Sequence, residues 1–261
     1  MSVESPSARI RPLSTTNAEE RKIVMRLIAK HGMEGLAAAN RRAYTSPSLL
    51  ALWFAVSSAF VEYMHWWPSQ QAAELKGFWP WLSPIRGYAP FLVVLLVAAD
   101  WFNRPHFEDR LQATLRAEDM RDPHAYYAQP LGSGLWLLDY DNEIIGLAAV
   151  KVREPSSATP TPTAAALTHF TVIEPYRPAN IQRDLLQHAL RQAFHSNGSI
   201  TSVYAEDDAL CPYTQRVLRE EGFRTADSKP LRRMGFMRWQ VRECVLMRDQ
   251  WDTRQSEVQG K

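Results

Sequence analysis

The chain has 261 residues, with 30 Lys and Arg against 28 Asp and Glu for a net charge of +2. That near balance, without a clustered basic face, argues against a nucleic-acid partner, and the length suits one large domain or a domain with an appendage. Two cysteines, Cys211 and Cys244, cannot define a disulfide framework and have no Cys or His at metal spacing, so both read as reduced and structural and no metal is expected.

Residues 1–8 are small and polar, without the charged-then-apolar layout of a cleaved signal peptide. Ile10-Arg11-Pro12-Leu13 reads as a short edge strand, where proline is tolerated. Ser14-Thr15-Thr16-Asn17 offers N-cap side chains, Glu19 and Glu20 suit a first helical turn, and Ile23, Val24, Leu27 and Ile28 form the apolar stripe of a helix.

The composition then shifts. Residues 48–67, SLLALWFAVSSAFVEYMHWW, carry Glu62 and no Lys or Arg, over about the twenty residues a helix needs to cross hydrocarbon. A second run, residues 88–102, YAPFLVVLLVAADWF, holds Asp100 and is short of that length by itself. Trp79-Pro80-Trp81 and Pro84 lie between, and six of the nine tryptophans fall in this region, as at a membrane interface. A buried soluble hairpin is the alternative, against which the pairing of two such runs speaks. Arg41 and Arg42 precede the hairpin and Arg104 follows it, with Lys76, Arg86 and Glu74 inside, a bias that favours both outer ends in the cytosol.

Residues 106–120 read as a helix (Phe107, Leu111, Leu115) that ends near Asp122-Pro123. Residues 135–138 and 144–152 then form a β-hairpin turned at Asp139-Tyr140-Asp141-Asn142, and EPSSATPTPT at 154–163 reads as a flexible loop. Residues 164–194 change period midway. They are short, apolar and β-branched up to Ile173, after which Ile181, Leu185, Leu186, Ala189, Leu190, Ala193 and Phe194 recur at helical spacing: strand, turn, helix. The unpartnered amides opening that helix attract anions, with Arg177 and Arg183 in reach; a ligand-free surface turn is the alternative. Residues 200–205 read as a strand, Asp207 and Asp208 as the start of a helix running to about Glu221 with Gly222 at its C-cap, residues 237–247 as a long strand, and residues 250–261 as a polar tail.

Tyr176-Arg177-Pro178-Ala179-Asn180-Ile181-Gln182-Arg183 resembles the acetyl-CoA loop of the GNAT acyltransferase superfamily, Arg-x-x-Gly-x-Gly/Ala followed by a helix. Arg219-Glu220-Glu221-Gly222-Phe223, about forty residues on, resembles the end of that superfamily's next helix. Gly132-Ser133-Gly134-Leu135-Trp136 and His169 are similar to features of its membrane-bound branch, the acetyltransferases of cysteine S-conjugates and aspartate anchored in the endoplasmic reticulum.

The resemblance implies an α/β fold with a mixed, mostly antiparallel sheet flanked by helices and an inserted hydrophobic membrane hairpin. Residues 1–47 would supply the first strand and helix, 48–103 the hairpin, 104–249 the remaining acetyltransferase domain and 250–261 the tail. It further implies an acyl-CoA-dependent N-acetyltransferase, with acetyl-CoA as cosubstrate and a small-molecule or amino-acid-like amine as acceptor. Membrane lipid would be a partner, and the catalytic domain would face the cytosol.

The implied acetyl-CoA site comprises Val172, whose N–H would face the thioester carbonyl in a splay between two strands, and Arg177, Ala179, Asn180, Ile181, Gln182 and Arg183 at the diphosphate. Glu206 is the first candidate for general base and His169 the second; an N-cap decoration and a core histidine are their plainer readings. Four departures stand out. Pro178 has no N–H; Asn180 replaces a small residue but tolerates a left-handed backbone; Gln182 either crowds the phosphates or donates to them; and Leu218 stands where a tyrosine often protonates the thiolate. Tyr213, five residues earlier, is expected to point elsewhere. With these departures, a catalytically impaired pseudoenzyme serving as a membrane-tethered binding module is the competing reading, and a longer acyl chain a third.

Overall fold

A computed structural model describes residues 8–14, 18–67, 82–153, 164–226 and 229–259. The expectations placed on Thr15-Thr16-Asn17, on Lys76, Glu74 and Trp79-Pro80-Trp81, and on the loop 154–163 lie outside those residues. The chain forms two compact units, one of residues 1–33, 109–234 and 238–261, the other of residues 34–108 and 235–237.

The first unit is built on an eight-stranded sheet. Its strands are β1 (Ala8–Pro12), β2 (Gly134–Tyr140), β3 (Glu143–Val152), β4 (Ala164–Val172), β5 (Ser202–Asp208), β6 (Arg224–Thr225), β7 (Arg232–Met234) and β8 (Trp239–Met247), in the order β1-β2-β3-β4-β5-β8-β6, with β7 also on β8. All neighbours run antiparallel except β4 and β5. Asp141 and Asn142, both at positive φ (51° and 63°), make the two-residue turn between β2 and β3, where a right-handed strand twist favours that backbone. Alternation along β2 sends Trp136 and Leu138 to one face and Leu135 and Leu137 to the other.

On the first face lies the helix Ile181–Ser196, whose stripe of Leu185, Leu186, Ala189, Leu190, Ala193 and Phe194 is buried as its period requires. On the second face, Val24, Leu27 and Ile28 of α1 (Ala18–Tyr44) meet Leu137, Leu147 and Ala149. The remaining helices in chain order are α2 (Pro47–Tyr63), α3 (Ile85–Arg116), α4 (Glu118–Arg121), α5 (Pro123–Ala128), α6 (the Ile181–Ser196 helix), α7 (Pro212–Glu220) and α8 (Arg248–Gln259).

Several expectations are corrected. Asp207 and Asp208 finish β5 instead of opening a helix, because both pair with β8, opposite Arg242 and Val241. The polar tail is a helix, α8: Trp251, 1% exposed, packs beside Phe194, and Arg254 donates to the Glu220 carbonyl. The second apolar run and the helix expected after it are one 32-residue helix, α3, which continues through Pro90 and Pro105. Among the described residues α3 is by itself long and apolar enough to cross a membrane, an 18-residue window having mean hydropathy 1.5 and being 11% buried; the 17-residue α2 reaches that only together with α1, from which it is bent by 54°.

Within the second unit, Gly87 of α3 lets α2 come close, since a Cβ there would meet Val61 at 2.5 Å. The Trp53 indole donates to the Tyr88 carbonyl (3.1 Å). A polar chain closes the other end: Asn40 donates to Asp100 (2.7 Å), Asn103 donates to Asn40 (2.8 Å), and the Phe236 N–H donates to Asn103 (3.2 Å). Fourteen of the seventeen large apolar side chains exposed among the described residues belong to this unit, Trp101 (74%) and Val94 (62%) among them.

Candidate active site

β4 and β5 pair over only three positions, Ala164 with Ser202 to Ala166 with Tyr204. Beyond them β4 stays on β3 up to Val172 and β5 stays on β8 up to Asp208, so the two parallel strands separate. The Ile173 N–H donates to the Ile145 carbonyl on the β3 side, and alternation therefore turns the peptide groups of Val172 toward the gap. There the Val172 carbonyl accepts from Arg177 Nε at 2.7 Å.

A 3-10 turn, Glu174–Ala179, leads from β4 to α6, and Asn180 joins them at φ 58°, ψ 14°. Asn is among the residues that adopt this left-handed backbone most readily. Gln182 neither points outward nor lies open: it is buried, its amide donates to the Arg177 carbonyl (3.1 Å), and its Oε1 lacks a hydrogen-bond partner. The side chain staples the turn together. Ala179 and Ile181 flank Asn180 as expected. The two arginines are engaged by protein groups. Arg177 also stacks over the Tyr213 ring at 3.8 Å, and Arg183 donates to the buried Glu221 at 2.7 Å, which raises the guanidinium pKa.

Two residues apart on β4, His169 and Thr171 share the face that looks toward α1, about 6.6 Å apart along the strand. His169 Nε2 lies 2.7 Å from Asp119 Oδ2, which also accepts from the Tyr127 hydroxyl (3.0 Å); that hydroxyl in turn meets Thr168 (2.7 Å). Burial acts to raise the Asp119 carboxyl, and the hydrogen bond and charge of His169 outweigh it, leaving Asp119 below the usual carboxylate range. An ionised Asp119 holds the proton on Nε2 and leaves Nδ1 as the basic nitrogen, the arrangement that prepares a histidine to accept a proton.

Glu206 is placed differently. The guanidinium groups of Arg110 (3.0 Å) and Arg232 converge on its Oε2, and Arg110 also reaches Asp208 (3.4 Å). It anchors an ion-pair cluster on β5 instead of standing ready as a base.

Tyr213 is the residue that sequence reasoning misplaced. At the start of α7 its hydroxyl reaches β4, 3.5 Å from Thr171 Oγ1, and lies 3.2 Å from His31 Nδ1. Leu218, by contrast, is buried in the core. His31 and Asp119 were not anticipated. His31 carried a signal: it continues the α1 stripe of Val24, Leu27 and Ile28 at the seven-residue step, a polar residue on a core-facing line. Asp119 carried none, because nothing in its neighbourhood sets it apart from the other acids there.

The model of the Acetyltransferase (GNAT) family matches residues 96–223, just under half of the chain. No curated protein matches the sequence. Similar solved structures include the spermidine N-acetyltransferase of Vibrio cholerae in complex with CoA and spermine (10% identity, 94% of this chain and 97% of that one, TM-score 0.47). An acetyltransferase of the GNAT family from Streptococcus pneumoniae is also similar (14% identity, 50% and 75%, TM-score 0.43). So is the ribosomal-protein-S18-alanine N-acetyltransferase of Escherichia coli (15%, 48% and 76%, TM-score 0.36).

Proposed function

We propose that this chain is a GNAT-family acetyltransferase that takes acetyl-CoA as acyl donor and acetylates the amine of a small molecule or amino-acid-like acceptor in the gap between β4 and β5. The observation that carries the proposal is that a carboxylate-oriented imidazole and a phenol meet the same face of β4, at His169 and at Thr171, on the strand that separates from β5. In this reading His169, oriented by Asp119, takes the proton of the attacking amine, and Tyr213 gives one to the thiolate. Glu206, tied to two guanidiniums, supports β5. The Val172 N–H would polarise the thioester carbonyl. The amides of Ile181 and Gln182, at the N-terminal end of α6, would receive the diphosphate, with Ala179 and Asn180 shaping the turn, where the Asn180 N–H is held by the Arg177 carbonyl, and with the Arg177 side chain beside them. Arg183 remains with Glu221.

We further propose that α2 and α3 anchor the protein in a membrane, of the endoplasmic reticulum by resemblance, with the catalytic unit in the cytosol. Support comes from the exposed apolar side chains of that unit and the length of α3. Carbonate extraction checks it: release of the protein into the supernatant defeats an integral anchor.

A tethered pseudoenzyme is the second reading, favoured by the protein partners that Arg177 and Arg183 already hold and by the Gln182 staple. Calorimetric titration with acetyl-CoA, followed by product mass from a panel of amines, separates the two. Binding with an acetylated product supports the enzyme. No binding at millimolar acetyl-CoA leaves the tethered module.

A further inference from the structure

His31 is an imidazole at this opening that the acetyl-transfer reading leaves unused. It projects from α1, partly buried, with its ring edge-on to Tyr213 (centroids 6.2 Å apart, planes at 83°) and Nδ1 3.2 Å from the phenol oxygen. A phenol has a single proton to give. The arrangement that satisfies both contacts directs that proton at Thr171 Oγ1 (3.5 Å) and has an Nδ1–H of His31 donate to the phenol oxygen (3.2 Å).

We propose that His31 is a positioning residue for Tyr213: its Nδ1–H donates to the phenol oxygen, turns the phenol's own proton toward Thr171 and the β4–β5 gap, and stabilises the phenolate formed when that proton leaves. The inference rests on the acetyl-transfer reading for its consequence in catalysis. After the amine nitrogen has bonded to the acyl carbon, the thioester C–S bond breaks, the Tyr213 O–H bond breaks and an S–H bond forms. The phenolate is held by His31 and by the Arg177 guanidinium over its ring, and takes a proton back from water; the amine proton has gone to His169 and then to solvent.

The surroundings suit a neutral donor. Burial first, then the charges of Arg177, Arg110 and His169, lower the His31 imidazole to about 4, so at neutral pH it keeps one N–H and no charge. Around Tyr213, burial raises the phenol pKa and the Arg177 charge acts to lower it. An N–H from His31 adds to the lowering side.

The test compares the full-length protein with His31→Ala, His31→Asn, Tyr213→Phe and the double variant His31→Ala/Tyr213→Phe. Acetyl transfer to an accepted amine is expected to lose about 10- to 100-fold in kcat in His31→Ala, with KM for acetyl-CoA within about twofold and the basic limb of the pH profile moved upward. His31→Asn, whose amide N–H can replace the Nδ1–H, should recover most of that loss. In the Tyr213→Phe background the His31 substitution should cost nothing further. A His31 effect that persists without the Tyr213 hydroxyl, or a kcat loss with an unmoved basic limb, overturns the proposal.

Ultraviolet difference titration of the Tyr213 phenol, taken as wild type minus Tyr213→Phe, reads the same contact without turnover. An ionisation that moves to higher pH in His31→Ala sustains the His31 role even if no amine is acetylated, and an unmoved ionisation ends it. Failure of wild-type protein to bind acetyl-CoA would instead strike the transferase reading alone.

Discussion

Two buried polar networks in this chain are built alike and differ in what they can do. Asn40, Asp100, Asn103 and the Phe236 amide form a chain of donors and acceptors in the apolar unit. Asp119, His169, Tyr127 and Thr168 form another against the sheet. The first consists of amides around one carboxylate that Arg104 also pairs at 2.7 Å, so it holds no proton-accepting ring and serves to satisfy buried groups. The second contains an imidazole whose tautomer is fixed by a carboxylate, and it borders a gap between strands. A titratable ring held by a carboxylate is what the second network has and the first lacks.

The sharpest way to break this comparison is His169→Ala. Acetyl transfer should fall by about 10²–10⁴-fold in kcat per folded molecule, with the folded fraction read by circular dichroism. Asn103→Ala should act on stability instead. Two partners of Asn103 are left unsatisfied, at about 1–3 kcal/mol in chemical unfolding, and kcat per folded molecule should hold within about twofold. Similar activity losses in both variants would erase the distinction.

Acid should separate the networks again. With His31 lowered to about 4, the unfolded chain takes up a proton that the folded chain refuses between roughly pH 6.5 and 4. That contribution is complete above pH 6.5 and is lost as pH falls through the window. Asp119, also lowered, adds stability above the ordinary carboxylate pKa that disappears as pH drops below it. Thermal melting followed from pH 8 to about pH 4 should therefore decline, and decline less steeply in His31→Gln. The smallest effect is expected from Arg183→Ala: its guanidinium belongs to Glu221, so acetyl-CoA affinity by calorimetry should weaken less than about threefold, and less than in Arg177→Ala.

Much of the fold was legible in the sequence because periodicity reports burial directly. The stripe from Ile181 to Phe194, the hairpin turned at Asp141 and Asn142, and Asn180 as a left-handed joint all follow from local rules. What failed depended on partners distant in the chain. Asp207 and Asp208 look like helix starters until β8 pairs with them, and the residues after Gln250 look unstructured until Trp251 finds its place beside Phe194. At the candidate site, the turn was readable. That two guanidiniums hold Glu206 was signalled by nothing local, since Arg110 and Arg232 are 96 and 26 residues away. Helical spacing counted from Gly222 argued against Tyr213. Its hydroxyl arrives because α7 begins at Pro212, after an irregular segment whose length the sequence does not reveal.

The pairing of β1 with β2 carries a consequence for synthesis. Ala8 sits opposite Tyr140, so the first strand emerges from the ribosome 132 residues before its partner. At about 5–20 residues per second that is a delay of roughly 7 to 26 s, during which the apolar stretches of α2 and α3 have already been made. Throughout that interval the opening segment must be kept from pairing with anything else. A chaperone has its natural moment of action there, before the edge of the sheet is closed.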